Sequence, residues 1–289
     1  VEADGTAKVY ATSPLAGAIL VKGGLAKQVE DLPMNVARVE TIGAGVDSVL
    51  HLPDGRIDRP AFKRDYAVRD GVLVALDRPL LVIHGGAGIE PGDMTKDEES
   101  AARAALETAL KAGHAKLQGG ASALDAVTAA ITLLEDAPMF NAGRGAVFTH
   151  DGRNELDTSI MDGASGKAGA AAGLHRVKNP ITLARAIMDR SNHVMMVGDG
   201  AEAFAQAQGI ELVDPSYFRT EKRWKALQKA LDEEKNAQAA NTPMVLPGKA
   251  YFGTVGALAL DAQGRLAAGT STGGMTNKRY GRVGDSPII

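Results

Sequence analysis

The sequence predicts an α+β protein preceded by a small β-rich segment, and three features carry that prediction. Thr95-Lys96-Asp97-Glu98 forms a capping box ahead of an Ala-rich run to Leu117, and Ser122 with Asp125 starts a second helix. Leu80-Leu81-Val82-Ile83 and the stretch from Phe252 to Thr272 contain apolar runs of strand length, broken by glycine-containing turns. Before Arg78 only short β-like runs occur, punctuated by Asp-Gly pairs of the kind that tolerate the positive φ of tight hairpins.

Those pairs are Asp4-Gly5, Asp54-Gly55 and Asp70-Gly71. Val36 and Arg38, then Val46, Ser48 and Leu50, alternate loosely around the Gly43-Ala44-Gly45 break, and Arg56 to Arg64, with Pro60, reads as a loop leading into another hairpin. At Leu80 the texture changes. A fully apolar run of buried-strand length ends abruptly at His84-Gly85-Gly86-Ala87-Gly88. This places a domain boundary near Arg78, with a β-rich segment over 1–78 and a larger domain over 79–289.

In the larger domain the Thr95 hydroxyl and the Glu98 carboxylate each satisfy an orphan helix amide, and Gly119-Gly120 stops the helix. In the second helix Leu124, Val127, Ala130, Ile131 and Leu134 share one face, so the two helices are expected to pack together. Gly145 to Phe148 and Leu156 to Met161 are strand-like. Asn179 and Pro180 supply an N-cap and a first-turn proline for a helix to about Asp189, and Val194 to Val197 is a buried-strand candidate. Asp232 to Lys249 is rich in Glu, Lys, Asn, Gln and Ala, holds two prolines and lacks an apolar period, so a mobile linker is expected. Phe252 to Asp261 then reads as a strand, Gln263-Gly264 as a turn, and Leu266 to Thr272 as the returning strand, rich in small residues that permit close approach.

Composition narrows the function. With 32 Lys plus Arg against 35 Asp plus Glu, no concentrated basic surface is expected, and nucleic acid and anionic membranes drop out as partners. No apolar stretch approaches the roughly 20 residues of a membrane span. The chain has no cysteine, which removes thiolate zinc sites and a Cys nucleophile, and this suits a reducing, cytoplasmic setting. No secretory leader pattern precedes the first strand signal. Chemistry must come from oxygen or nitrogen groups. His51, His114, His150, His175 and His193 lack metal-ligand spacing. His84 sits in a glycine-rich run without the Lys-Ser/Thr of a phosphate loop, and is read as part of a buried structural turn.

Five motifs are informative together: HGGAG at 84–88, FNAGRGAVFT at 140–149, ELDTSIMDG at 155–163, GTVGALALD at 253–261 and GTSTGGMTNKRYGRVGDSP at 269–287. In order and spacing they resemble the plant-type L-asparaginase/isoaspartyl peptidase family of N-terminal nucleophile hydrolases, almost continuously from Leu80 to Ile289. The resemblance implies a four-layer αββα sandwich and a precursor that cuts itself before a threonine. Gly253-Thr254 is then the scissile bond, between an α part over 79–253 and the start of a β part over 254–289, and Thr254 is the nucleophile. The implied substrates are L-asparagine and β-aspartyl dipeptides. Thr272 matches the family's second threonine, which hydrogen-bonds and orients the nucleophile, and Asn141 matches an asparagine near it. Arg282 and Asp285 match the clamps for the substrate's α-carboxylate and α-ammonium. The loop from Leu134 to Arg144 resembles one whose main-chain oxygens, those of Leu134, Glu135, Ala137, Phe140, Ala142 and Arg144, hold a structural sodium ion. No catalytic cofactor is implied, and the assembly implied is a homodimer of processed αβ units.

The chemistry has its own logic. Once Thr254 is N-terminal, its α-amine, with a reference pKa of about 8, can take the proton of its own hydroxyl, so one residue supplies nucleophile and base. Before scission that nitrogen is an amide and cannot do so. Glycine at 253 permits a strained backbone approach that a β-carbon would obstruct. The stretch from Thr254 to Ile289 is much shorter than the family's β chain, which continues into glycine-rich oxyanion and substrate-binding segments. A truncated, weakly active precursor with one side of its sandwich exposed is therefore expected. Glycosylasparaginase, which shares GTST and GRVGDSP type segments, is the nearer alternative. A degenerate, non-enzymatic domain is the alternative from another class. Ahead of Arg78, GTAKVYATSP resembles the tail of cyanophycinase-like serine peptidases, whose nucleophile would lie upstream of Val1.

Overall fold

The computed structural model describes residues 79–86, 94–237 and 253–288 in full, the main chain of 238–239 and, among the first 78 residues, the main chain of five strands. The chain divides into two units, Val1–Arg78 and Pro79–Ile289. In the first, β1 (Arg38–Ile42), β2 (Asp47–His51) and β3 (Ile57–Asp58) form an antiparallel three-stranded sheet in that order. A separate antiparallel pair joins β4 (Asp65–Arg69) and β5 (Val72–Leu76), with Arg69 opposite Val72. The Asp-Gly pairs, the Gly43-Ala44-Gly45 break, Pro60 and GTAKVYATSP lie outside the described residues.

The second unit runs β6 (Leu80–His84), α1 (Lys96–Gln118), α2 (Ala123–Asp136), β7 (Leu156–Asp162), β8 (Ala168–Leu174), α3 (Pro180–Arg190), β9 (Met195–Val197), α4 (Gly198–Ala207), α5 (Glu221–Ala239), β10 (Val255–Leu260) and β11 (Leu266–Thr272). Its six described strands form one sheet in the order β6-β10-β11-β7-β8-β9, antiparallel except for the β8–β9 pair. The unit is thus a mixed α/β structure.

Local chemistry sets the helices. At α1 the Glu98 amide donates to Thr95 Oγ1 while the Thr95 amide donates to the Glu98 carboxylate, and Ser122 with Asp125 repeats the arrangement at α2. The stripe Val127, Ala130, Ile131 and Leu134 on α2 is fully buried against β10 and β11. Small residues let these layers approach. A Cβ on Gly113 of α1 would stand 2.9 Å from the Ala126 carbonyl, and one on Gly269 of β11 would stand 3.0 Å from Val127. α3 covers β7 and β8, and its first turn is held across elements: the Ile181 amide donates to Glu135 Oε1 of α2 at 3.0 Å, while the Asn179 side chain bonds Thr132 and Asp136 and caps nothing. Burial pushes the Glu135 carboxyl up to about 8, against the pull of a neighbouring Ser271 hydroxyl and the Ile181 amide.

Several expectations are corrected. Leu80 to Ile83 is not a fully buried strand: β6 is a sheet edge, and Val82 is 62% exposed. Val194 to Val197 lies at the other edge, where Val194 and Val197 are also exposed. An apolar run reports strand length but not whether one face or both will be covered. Gly145 to Phe148 is no strand. Gly143–Gly145 is a 3-10 turn, and the carbonyls of Pro138 and Phe140 crowd Gly145 so closely that a Cβ would not fit. Asp232 to Lys249 is not wholly a linker, because α5 continues to Ala239, supported by exposed Lys–Glu pairs such as Lys229–Glu233 and by inward-facing Leu227 and Glu234. Residues 240–249 lie outside the described residues. His84 is exposed at the end of β6, not buried in a turn, and Ala87 and Gly88 lie outside the described residues.

Helices cover one face of the sheet. Across the other, Val82, Leu258, Ala268 and Met161 stand opposite one another on β6, β10, β11 and β7. Leu258 is 48% and Met161 42% exposed. The second sheet and outer helical layer of a four-layer sandwich are not among the described residues.

Candidate active site

The β10–β11 hairpin creates the first contact of the site. Val255 is paired with Ser271, so Thr254, one residue before β10, falls beside Thr272 at the end of β11. Thr254 Oγ1 donates to Thr272 Oγ1 at 3.1 Å, and the Gly274 amide donates to the same Thr272 oxygen at 3.0 Å. Strand alternation puts Thr270 and Thr272 on the open face and Ser271 on the helix-covered face, where it is fully buried.

The chain beyond β11 folds back over the open face, and polar side chains fix where it lands. Ser159 Oγ of β7 and Thr270 Oγ1 of β11 both donate to the Ser286 carbonyl at 2.7 Å. This brings Ser286 Oγ to 3.3 Å from Thr254 Oγ1. Thr254, Thr272, Asn141, Gly253, Arg282 and Asp285 all border one cavity of about 140 Å³. Arg282 and Asp285 sit exposed on its rim, with the Arg282 guanidinium against the Gly284 main chain. The structure therefore gathers the sequence-derived residues around one small space.

Three main-chain segments meet behind Thr254. Gly253 has φ +116°, and a Cβ there would stand 2.8 Å from Asn141 Cβ. Gly86, at φ +124°, abuts the Gly253 Cα so closely that it too must lack a side chain. Asn141 ties the segments together: its Nδ2 donates to the Gly274 carbonyl at 2.7 Å, its Oδ1 accepts from the Val147 amide at 3.0 Å, and its own carbonyl accepts from the Gly273 amide at 3.0 Å. These bonds make Asn141 a brace for the backbone around Thr254.

Residues 77–289 match the model of a protein family described as asparaginase. The chain belongs to this asparaginase family. It is 48% identical over 215 residues to the isoaspartyl peptidase of Escherichia coli K12, an alignment covering 74% of this chain and 67% of that protein. The isoaspartyl peptidase of Salmonella typhimurium is 48% identical over 216 residues, covering 74% and 68%. The isoaspartyl peptidase/L-asparaginase of Rattus norvegicus is 45% identical over 212 residues, covering 73% and 60%.

Within this asparaginase-family site, four contributors escaped sequence reasoning. Ser286, next to Asp285, and Ser159, in the alternating ELDTSIMDG strand, act through contacts that no spacing announces. Gly86 turns the HGGAG run into the backing of Gly253. Lys278 is buried beneath the site, its Nζ 3.4 Å from Glu155 Oε2 and 3.6 Å from Asp157 Oδ2. Asp157 stands opposite Thr272 in the β7–β11 register. Burial raises the Asp157 carboxyl above the ordinary aspartate range, while Lys278 and the Gly173 amide pull it down. Among the described residues no cluster of three or more His, Asp or Glu side chains could hold a metal, and no helix is long and apolar enough to cross a membrane.

Proposed function

We propose that this chain is a threonine amidohydrolase that cuts its own Gly253-Thr254 bond and then hydrolyses β-aspartyl dipeptides and L-asparagine. The observation that carries it is the Thr254–Thr272 hydroxyl bond on the wall of a cavity shared with Arg282 and Asp285. The names of the relatives, isoaspartyl peptidase and L-asparaginase, support the same substrate class.

In processing, Thr254 Oγ1 attacks the Gly253 carbonyl and the peptide nitrogen leaves, giving an ester that water hydrolyses to a Gly253 carboxylate and a free Thr254 amine. That amine then serves turnover. It takes the hydroxyl proton as Oγ1 attacks the side-chain amide carbon of substrate, and passes it to the departing amine or ammonia. Water attacks the resulting aspartyl ester and releases L-aspartate. Thr272 orients the hydroxyl. The Arg282 guanidinium takes the α-carboxylate as a fork and the Asp285 carboxylate takes the α-ammonium, which selects an aspartyl group joined through its side chain.

The open apolar row Val82, Leu258, Met161 is the side on which the second sheet of a four-layer sandwich would lie. A sodium ion fits the 134–144 loop. Glycines at 143 and 145 admit the carbonyls of Glu135 and Phe140 where a Cβ would block them. The Leu134, Ala137 and Ala142 oxygens each accept one amide and keep a second lone pair, so these five and Arg144 would hold the ion by main-chain oxygens and stiffen the loop that carries Asn141. The homodimer of processed units rests on the family resemblance, and the cytoplasmic setting on the cysteine-free composition.

Intact mass tests the proposal, together with release of L-aspartate from β-aspartyl-leucine. The wild-type chain should be cut between Gly253 and Thr254, whereas Thr254→Ala should stay whole and lose activity by about 10³-fold or more. Undiminished hydrolysis by Thr254→Ala refutes the mechanism.

A further inference from the structure

α5 is charged along most of its length, yet one carboxylate faces inward. Glu234 is 6% exposed and lies seven residues after Leu227, which is 1% exposed, so it continues the buried stripe where an apolar residue would serve packing better. Both of its oxygens are engaged. Arg279 Nη2 donates to Oε1 at 2.5 Å, and Asn277 Nδ2 donates to Oε2 at 3.0 Å. His150 completes the cluster, its Nδ1 lying 2.8 Å from Asn277 Oδ1 and 3.1 Å from Arg279 Nη2.

Asn277 and Arg279 belong to the segment that leads from Thr272 to the clamp, and that segment is strained. Asn277 has φ +63° and Tyr280 φ +58°. Side chains in this region persist only where surroundings hold the backbone there, and Tyr280, 98% exposed, supplies no hold of its own. The Asn277 amide donates to the Phe148 carbonyl and the His150 amide to the Lys278 carbonyl, both at 2.9 Å. Past that point Arg279 is fastened from the α5 side and its carbonyl accepts the Arg282 amide at 3.0 Å, while the far end of the loop is held separately at the Ser286 carbonyl.

We infer that Glu234 is a positioning residue for the Arg282–Asp285 clamp, setting the loop that carries it through Arg279 and Asn277. The role of the clamp rests on the function proposed above. The link also crosses the proposed cut, since Glu234 precedes Gly253 while Asn277 and Arg279 follow Thr254. Scission of that bond leaves it intact, so the upstream fragment continues to shape the substrate site.

Two readings on the full chain test this with Glu234→Ala and with Arg279→Gln, which breaks the same link without disturbing the buried face of α5. Hydrogen exchange reads the loop, and calorimetry reads the affinity for L-aspartate. Each variant should speed exchange across 275–285 and weaken L-aspartate binding about tenfold, the scale of one charged hydrogen bond, while amides of β10 and β11 keep their protection. Glu234→Gln should fall between. Unchanged exchange in 275–285 overturns the anchoring. Faster exchange with unchanged L-aspartate affinity overturns the positioning role and leaves Glu234 a structural residue. A wild-type chain that binds no L-aspartate overturns the proposed function and the clamp with it, and the exchange result then still decides whether Glu234 holds the loop.

Discussion

Lys278→Met should expose how much the floor of the site depends on one buried ammonium. Its Nζ faces Glu155 and Asp157 at 3.4 and 3.6 Å, and the Lys278 and Asp157 side chains are 1% and 0% exposed. At an effective dielectric of about 20, each attraction is about 5 kcal/mol, most of it offset by the cost of taking the charges out of water. Removing the cation forfeits the attraction and leaves the desolvation, so a loss of about 3–5 kcal/mol is expected near pH 8. The loss must depend on pH in a definite direction. Asp157 has its folded pKa raised above the unfolded value, so its contribution is fully present below the unfolded pKa and is lost as pH rises through the folded one. Without Lys278 that folded pKa moves higher still. The variant should therefore sit close to wild type near pH 4 and fall further behind with each step toward pH 8. Urea unfolding at several pH values, with midpoint and slope both followed, measures this. Adding Asp157→Asn to Lys278→Met should restore part of the loss at pH 8. A variant within about 1 kcal/mol of wild type at pH 8, or one equally impaired at both ends of the range, would refute the reasoning.

Gly86→Ala should slow scission at Gly253-Thr254, because its Cβ would collide with the Gly253 Cα and alanine resists φ +124°, a strain of about 1–3 kcal/mol. A time course of intact mass at the wild-type rate would show that the contact is dispensable. Thr272→Val removes the acceptor of both Thr254 Oγ1 and the Gly274 amide, and kcat should drop by about 10-fold or more with KM changed less than about 3-fold. A change confined to KM would instead place Thr272 in substrate binding.

Where chemistry depends on residues close together along the chain, the sequence was sufficient. Thr95 with Glu98 and Ser122 with Asp125 start α1 and α2 because each cap needs only a side chain and an amide three residues apart. Gln263-Gly264 turns the chain between two strands, and this alone brings Thr254 next to Thr272. Burial and long-range contacts followed other rules. Val82 and Val197 read as buried but are exposed on edge strands, since strand order sets the edges and the layers packed above and below the sheet decide which faces are covered. Asn141, Gly86 and Gly253 converge from three distant segments, and Ser159 reaches a carbonyl 127 residues away. Such contacts carry no local signal, because a hydroxyl or a glycine has the same propensities whether or not a distant main chain comes to meet it. The amino-acid order thus determined the caps, the hairpin and which residues the proposed chemistry draws on. Only packing decided which backbone backs Gly253, which hydroxyls hold the returning loop, and which carboxylate on α5 reaches it.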